Sequence, residues 1–137
     1  MSAKDAKEVV RRFNEQVIAR GDRATFDDLM APGFVNHSAP PGAPAGPEGM
    51  WNTFQNVLRP ALAGLTVTIH DQVKEGAKVT TRKTISGTHV GPLLGVEATG
   101  KRVSIEAIDI VRVEDGRYAE HWGINTLPSV LAGLKQG

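Results

Sequence analysis

The hydrophobic period changes halfway along this chain, and the change restricts the fold more than any other feature. Ala6, Val9, Val10, Phe13, Val17 and Ile18 recur at helical spacing on one face. Ser2-Ala3-Lys4-Asp5 precedes them with the spacing of a capping box, and Gly21 follows as a stop, since glycine takes the left-handed cap conformation without steric penalty. A second short helix is predicted from Thr25, with Phe26, Leu29 and Met30 inward. A third starts at Pro47-Glu48, turns Trp51, Phe54, Val57 and Leu58 inward, and ends or kinks at Pro60. Beyond it the period falls to two. Strands are predicted over Leu65–Val73, Lys78–His89, Lys101–Val113 and Arg117–Ile124, with Glu75-Gly76 and Asp115-Gly116 as hairpin turns. A short helix over Pro128–Lys135 closes the chain. Helices first and an antiparallel meander second predict an α+β fold, one domain over residues 1–137, rather than alternating βαβ units.

Composition narrows the chemistry. Sixteen Lys and Arg against fifteen Asp and Glu leave a net charge of +1, no footprint for nucleic acid or an anionic membrane. Cysteine is absent, which removes disulfides and thiol nucleophiles. No apolar run exceeds three residues, too short to cross a bilayer. Charges at Lys4, Asp5, Lys7, Glu8, Arg11 and Arg12 do not make a secretory signal, so a soluble, cytoplasmic protein is expected. Gly95–Arg102 approaches a phosphate loop but lacks the Ser/Thr for magnesium and precedes a strand instead of a helix. Histidines 37, 70, 89 and 121 have no close ligand spacing, so no metal is expected. Residues 36–46 read either as a lid or binding loop or as a plain solvent loop.

The last hairpin holds the most suggestive carboxylates. With Asp115-Gly116 as the turn, opposed residue numbers sum to 231: Val113 faces Tyr118, Val111 faces Glu120, and Asp109 faces Trp122. Asp109 then shares a face with Val103, Ile105 and Ala107, and Glu120 lies at the diagonal position about 7–8 Å away. Burial in such a row is expected to raise the Asp109 pKa toward the range useful for proton transfer. The same acid also reads as a structural carboxylate held by an indole or backbone N–H. His121 falls on the other face opposite Ile110, as an interface or packing residue. In the first hairpin one register puts Asp71 opposite Arg82 on a face with Val67, Ile69, Thr84 and Ser86; a slip of one residue turns Arg82 away.

Seven motifs then occur in order: Phe34-Val35-Asn36-His37-Ser38, Gly46-Pro47-Glu48-Gly49, Arg82-Lys83-Thr84, Gly87-Thr88-His89-Val90-Gly91, Thr99-Gly100-Lys101, Ile108-Asp109-Ile110-Val111-Arg112, and Asp115-Gly116-Arg117 with Glu120-His121-Trp122. Together they resemble the SnoaL-like polyketide cyclases, or ester cyclases, of the nuclear transport factor 2-like superfamily. The resemblance implies a cone-shaped NTF2-like fold, with a curved antiparallel sheet on N-terminal helices around an apolar pocket. It implies a homodimer or homotetramer formed through the outer sheet face. It also implies cofactor-free aldol chemistry by a carboxylate acid/base on a small apolar, polyketide-like carbonyl compound. Its usual Asp, a few residues after the Trp of E-H-W, is replaced here by Gly123-Ile124-Asn125-Thr126-Leu127. His37 and His89 match family positions near the pocket mouth.

Three readings remain open on the sequence. The first is a cofactor-free cyclase or isomerase, with Asp109 as base and Arg82, His37 or His89 polarising the carbonyl. Its pocket would be lined by Trp51, Phe54, Trp122, Glu120 and Asn125, although core packing also suits the aromatic three. The second is a non-catalytic NTF2-like binding or interaction module. The third is an epoxide hydrolase using Asp109, Arg82 and Asp71.

Overall fold

The computed structural model describes residues 5–136. Residues 2–4 of the expected capping box lie outside them, but Asp5 acts as the N-cap, accepting the Lys7 amide at 3.0 Å. Helix α1, Ala6–Arg12, runs straight into a π-helical turn, Phe13–Ile18. All six apolar positions of the predicted face are buried. Gly21 ends the segment at a φ of +71°.

Helix α2 spans Arg23–Leu29. Its cap is Asp22 and not Thr25, because the Asp22 carboxylate reaches the Ala24 and Thr25 amides at 3.0 and 3.3 Å. Helix α3, Pro47–Asn52, continues through a second π-helical turn, Thr53–Leu58, into the single turn α4, Arg59–Ala61. The strands are β1 Met30–Asn36, β2 Leu62–Glu75, β3 Lys78–His89, β4 Arg102–Glu114 and β5 Arg117–Asn125, and helix α5 covers Leu127–Lys135.

The strands form one curved, unclosed sheet in the order β1-β5-β4-β3-β2. Every pairing is antiparallel except β1 with β5, which is parallel. Strand β1 was not expected, because Pro32 and Gly33 interrupt its alternation. An edge strand tolerates both, and the pairing breaks between Met30 and Val35, where they lie.

The inner sheet face carries Val79, Ile85, Val103, Ile105, Val111, Val113 and Tyr118 against the helices. Phe13 stacks on Tyr118 with ring centroids 4.2 Å apart, and Phe26 and Phe54 pack against Phe13 at 6.2 and 6.3 Å. Such contacts contribute about 0.5–1.5 kcal/mol each beyond burial. Two charged side chains, Lys83 and Asp109, are buried on the same face.

Candidate functional site

A β-bulge decides which residues meet. Val113 pairs with Tyr118 as the turn requires, but Arg112 pairs with Glu120, so Ala119 is an extra residue and the register changes by one. Asp109 therefore faces Gly123 instead of Trp122, Val111 faces His121 instead of Glu120, and Ile110 faces Trp122. The expected faces are exchanged: His121 joins Asp109 inside, while Glu120 and Trp122 turn outward. An unbroken ladder was assumed from the alternation, and a bulge leaves no mark on that pattern.

Asp109 sits in a chain of polar side chains that crosses the inner face. Lys83 Nζ donates to Asp109 Oδ2 at 2.9 Å, and the two side chains are only 6% and 10% exposed. The same ammonium donates to Asn14 Oδ1 at 2.7 Å. On the other side, His121 Nε2 stands 3.7 Å from Asp109 Oδ2. His121 Nδ1 lies 2.8 Å from Asn36 Oδ1, which also accepts the Ser38 amide at 3.0 Å. An oxygen that accepts from Ser38 leaves Nδ1 as the donor, so neutral His121 carries its lone pair on Nε2, toward Asp109.

Electrostatics correct the expectation of a raised Asp109 pKa. Burial does push the carboxyl up, but the Lys83 ammonium and His121 outweigh it and hold the pKa down at about 2. Asp109 is thus a fixed anion, with Oδ1 buried and without a hydrogen-bond partner. Burial, aided by the Asp109 charge, pushes the neighbouring Tyr118 phenol up and keeps it protonated. Gly123 lets the pair pack closely against β5: a Cβ there would lie 3.0 Å from His121 Cε1, 3.2 Å from His121 Nε2 and 3.3 Å from Asp109 Cβ, tighter than side chains normally meet.

The other anticipated residues are dispersed. Arg82 does face Asp71, but on the outer side, where the two form an exposed ion pair at 2.6 Å. A bulge at His70 separates this pair from Val67 and Ile69, which turn inward. The Asp109–Arg82–Asp71 set of an epoxide hydrolase is therefore not assembled. His37 stacks on Trp122 at 4.8 Å and meets Glu120 Oε2 at 2.8 Å outside the sheet. Arg112, and with it His37, holds the Glu120 carboxyl below its ordinary range. His37 thereby ties the loop after β1 to β5, together with the Gly123 amide bound by Ser38 Oγ at 2.7 Å.

His89 is wholly buried at the end of β3. Its Nδ1 accepts from the Thr99 amide at 3.3 Å, and its Nε2 has no partner. Trp51 packs on Phe26 at 5.2 Å and Phe54 on Phe13, so both serve the core. Asn125 caps the start of α5 by accepting the Leu127 amide at 2.9 Å. A cleft of about 550 Å³ opens between α1 and β2, lined by Lys7, Arg11, Asn14, Gln72, Val67 and Ile69 among others, and by none of the five expected pocket residues. Its lining is more polar than the apolar pocket expected, because Lys7, Arg11, Asn14 and Gln72 share it with Val67 and Ile69. Among the described residues no three His, Asp or Glu are grouped to hold a metal ion.

Lys83, Asn14, Asn36 and His121 were missed as site residues by sequence reasoning. The signal for Lys83 was present: it stands between Thr81 and Ile85 in the inward register of β3, where a lone cation requires a buried partner.

Comparison with known proteins adds a second line. Residues 8–133 match the family model described as SnoaL-like polyketide cyclase. TsrD from Streptomyces laurentii superposes with a TM-score of 0.83 at 30% identity, covering 98% of each chain. IdmH from Streptomyces antibioticus gives 0.82 at 29% identity, covering 97% of this chain and 99% of that one. Aklanonic acid methyl ester cyclase DnrD from Streptomyces peucetius is 40% identical over 48 residues, 35% of this chain and 33% of that protein. The chain thus spans about a third of the length of the curated relatives it matches.

Proposed function

The chain belongs to the SnoaL-like polyketide cyclase family, and on that premise we propose that it is a cofactor-free acid–base enzyme that cyclises or isomerises a small, polyketide-like carbonyl compound. The observation that carries this reading is the Asp109–His121–Asn36 array. Asn36 fixes the His121 tautomer, and Asp109 stands ready to stabilise the imidazolium that forms. His121 Nε2 takes a proton from the carbon next to a carbonyl. The C–H electron pair becomes the enolate, which forms a C–C bond to a second carbonyl carbon. The imidazolium then returns the proton to the new alkoxide, so the product is an isomer of the substrate. Asp109, ionised down to a pKa of about 2, is too weak a base for the first step and acts through its charge.

The test is turnover of a panel of polyketide methyl esters, aklanonic acid methyl ester among them, by the wild type and by His121→Gln. A general base of this kind contributes about 10²–10⁴-fold, so the variant should lose at least about 100-fold in kcat while binding ligand. A variant that keeps its rate removes His121 from the mechanism. A wild type that binds the esters and converts none favours the second reading, a ligand-binding module. The observation behind that alternative is the stretch Gly123-Ile124-Asn125-Thr126-Leu127, where an amide or a hydroxyl stands in place of the acid that the resemblance expects.

We also propose a homodimer through the outer sheet face, supported by the exposed Val35, Ile108 and Ile124 on that side of β1, β4 and β5.

A further inference from the structure

Lys83 has no task in a mechanism that uses Asp109 and His121 alone, yet it reaches the same carboxylate from within the sheet. Its ammonium makes two bonds, to Asn14 Oδ1 at 2.7 Å and to Asp109 Oδ2 at 2.9 Å. His121 Nε2 addresses that same Oδ2 from 3.7 Å, beyond hydrogen-bond length. Lys83 and the His121 ring thus address one oxygen, and Lys83 holds it at the shorter distance. We infer that Lys83, anchored by Asn14, is a positioning residue that occupies Asp109 and leaves His121 Nε2 unprotonated and free to accept a substrate proton. This inference rests on the acid–base reading above.

The anchor is built into the first helix. Asn14 lies in the π-helical turn, fully buried, and its Nδ2 donates to the Val10 carbonyl at 2.8 Å. That bond sets the amide orientation, so Oδ1 is the atom presented to Lys83. Without Lys83, a buried carboxylate draws the next available cation, because an unpaired buried charge is costly. That cation is the His121 imidazolium, which as a permanent partner of Asp109 could not serve as a base.

Several charged side chains on β5 and on the helices that pack against β4 and β5 have partners of their own. Glu120 turns to the outer face with Arg112 and His37. On α1 and α2, Arg12 pairs with Asp28 and Arg23 with Asp27. Asn36 and Ser38 are uncharged, and the Tyr118 phenol is held protonated.

The experiment follows the His121 Cε1–H resonance through a pH titration of the ligand-free protein, with His121→Gln to assign the signal. Lys83→Met should raise the midpoint by about one pH unit, a tenfold larger protonated fraction above it. Asn14→Asp is the second variant, for the case that Lys83→Met does not fold. It loses the bond from Nδ2 to the Val10 carbonyl but keeps Lys83 and offers it a competing carboxylate, so it should shift the midpoint in the same direction. The acid limb of kcat/KM should move with the midpoint in each folded variant. A His121 midpoint that stays at the wild-type value in the folded variants overturns the inference, even where His121→Gln abolishes turnover. A shifted midpoint in a protein whose His121→Gln variant retains full turnover supports the electrostatic coupling and rejects the acid–base reading instead.

Discussion

Asp109 carries its charge into the core only because Lys83 is there to meet it, and the consequence for stability has a definite sign. Its folded pKa, about 2, lies below the ordinary value of 3.8. A depressed carboxyl stabilises the fold at pH values above its unfolded pKa, and that contribution disappears as the pH falls through the folded one. Denaturant titrations should therefore show the pair's contribution, about 2 kcal/mol, intact near pH 5 and largely lost by pH 2. A double variant Lys83→Met, Asp109→Leu lacks the pair and should not show that component of the acid loss. Asp109→Asn alone should cost about 3–5 kcal/mol at neutral pH, since it leaves an ammonium buried without its partner. If the single and double variants lose equal stability, the ion pair does not hold this part of the core. The importance of Asp109 was legible from its place in an apolar row. The direction of its pKa was not, because the opposing cation comes from another strand whose register had to be known first.

Among the elements, the helix-then-strand order, the four strands and the Asp115-Gly116 turn were written in the period, whereas the first turn is Gly76-Ala77 and not Glu75-Gly76, because Glu75 still pairs with Lys78. Two features were not: the Ala119 bulge, which moves His121 inside, and β1, whose Pro32 and Gly33 hide a strand that exists by pairing with β5. Tertiary pairing, absent from a local pattern, supplies both. The same holds for the end of the first helical segment. Gly21 marks the stop, but the exposed carbonyls there are bound by Arg59, forty residues away in the chain order of α4. Its guanidinium donates to the carbonyls of Val17 and Ala19 at 3.2 Å each and to that of Ile18, while Nε donates to Gln55. A cation at a helix C-terminus also complements the helix dipole. Burial lowers the Arg59 pKa, a sign that the group is partly desolvated where it binds. Charged hydrogen bonds of this kind contribute about 1.5–3 kcal/mol. Arg59→Leu should lower the unfolding free energy in urea by about 2–3 kcal/mol, with Arg59→Lys between it and the wild type, since an ammonium cannot span three carbonyls in one plane. A loss no larger than that of a surface substitution rejects the clasp.

At the scale of the whole molecule, the outer sheet face is the surface left without a helix. The register aligns Ile108 with Ile124 and Ile110 with Trp122 on that side, and parallel pairing places Val35 beside Glu120. Ile108, Ile124 and Val35 are 45%, 73% and 39% exposed, more than isolated chance exposure of large side chains on one continuous face. Next to them, β3 and β4 present short hydroxyl side chains: Ser86 lies against Ser104, and Thr84 donates to Glu106. Short residues let a second sheet approach closely, and the isoleucines give it apolar surface to bury. A second copy of this chain suits the face because an isologous contact brings each apolar strand end against its own equivalent across a two-fold axis. A stable contact of this type buries about 800 Å² on each partner, an area that requires most of the outer face of β3, β4 and β5. Light scattering coupled to size exclusion should give twice the 14.7 kDa chain mass for the wild type. Ile108→Glu with Ile124→Glu should give the single-chain mass with an unchanged circular dichroism spectrum, because neither side chain belongs to the core. Four glutamates on the two-fold contact repel one another and demand desolvation, whereas the same residues on a free face cost nothing. A wild type that is monomeric at micromolar concentration, or a double variant that stays dimeric, would show that the outer face is not where two copies meet.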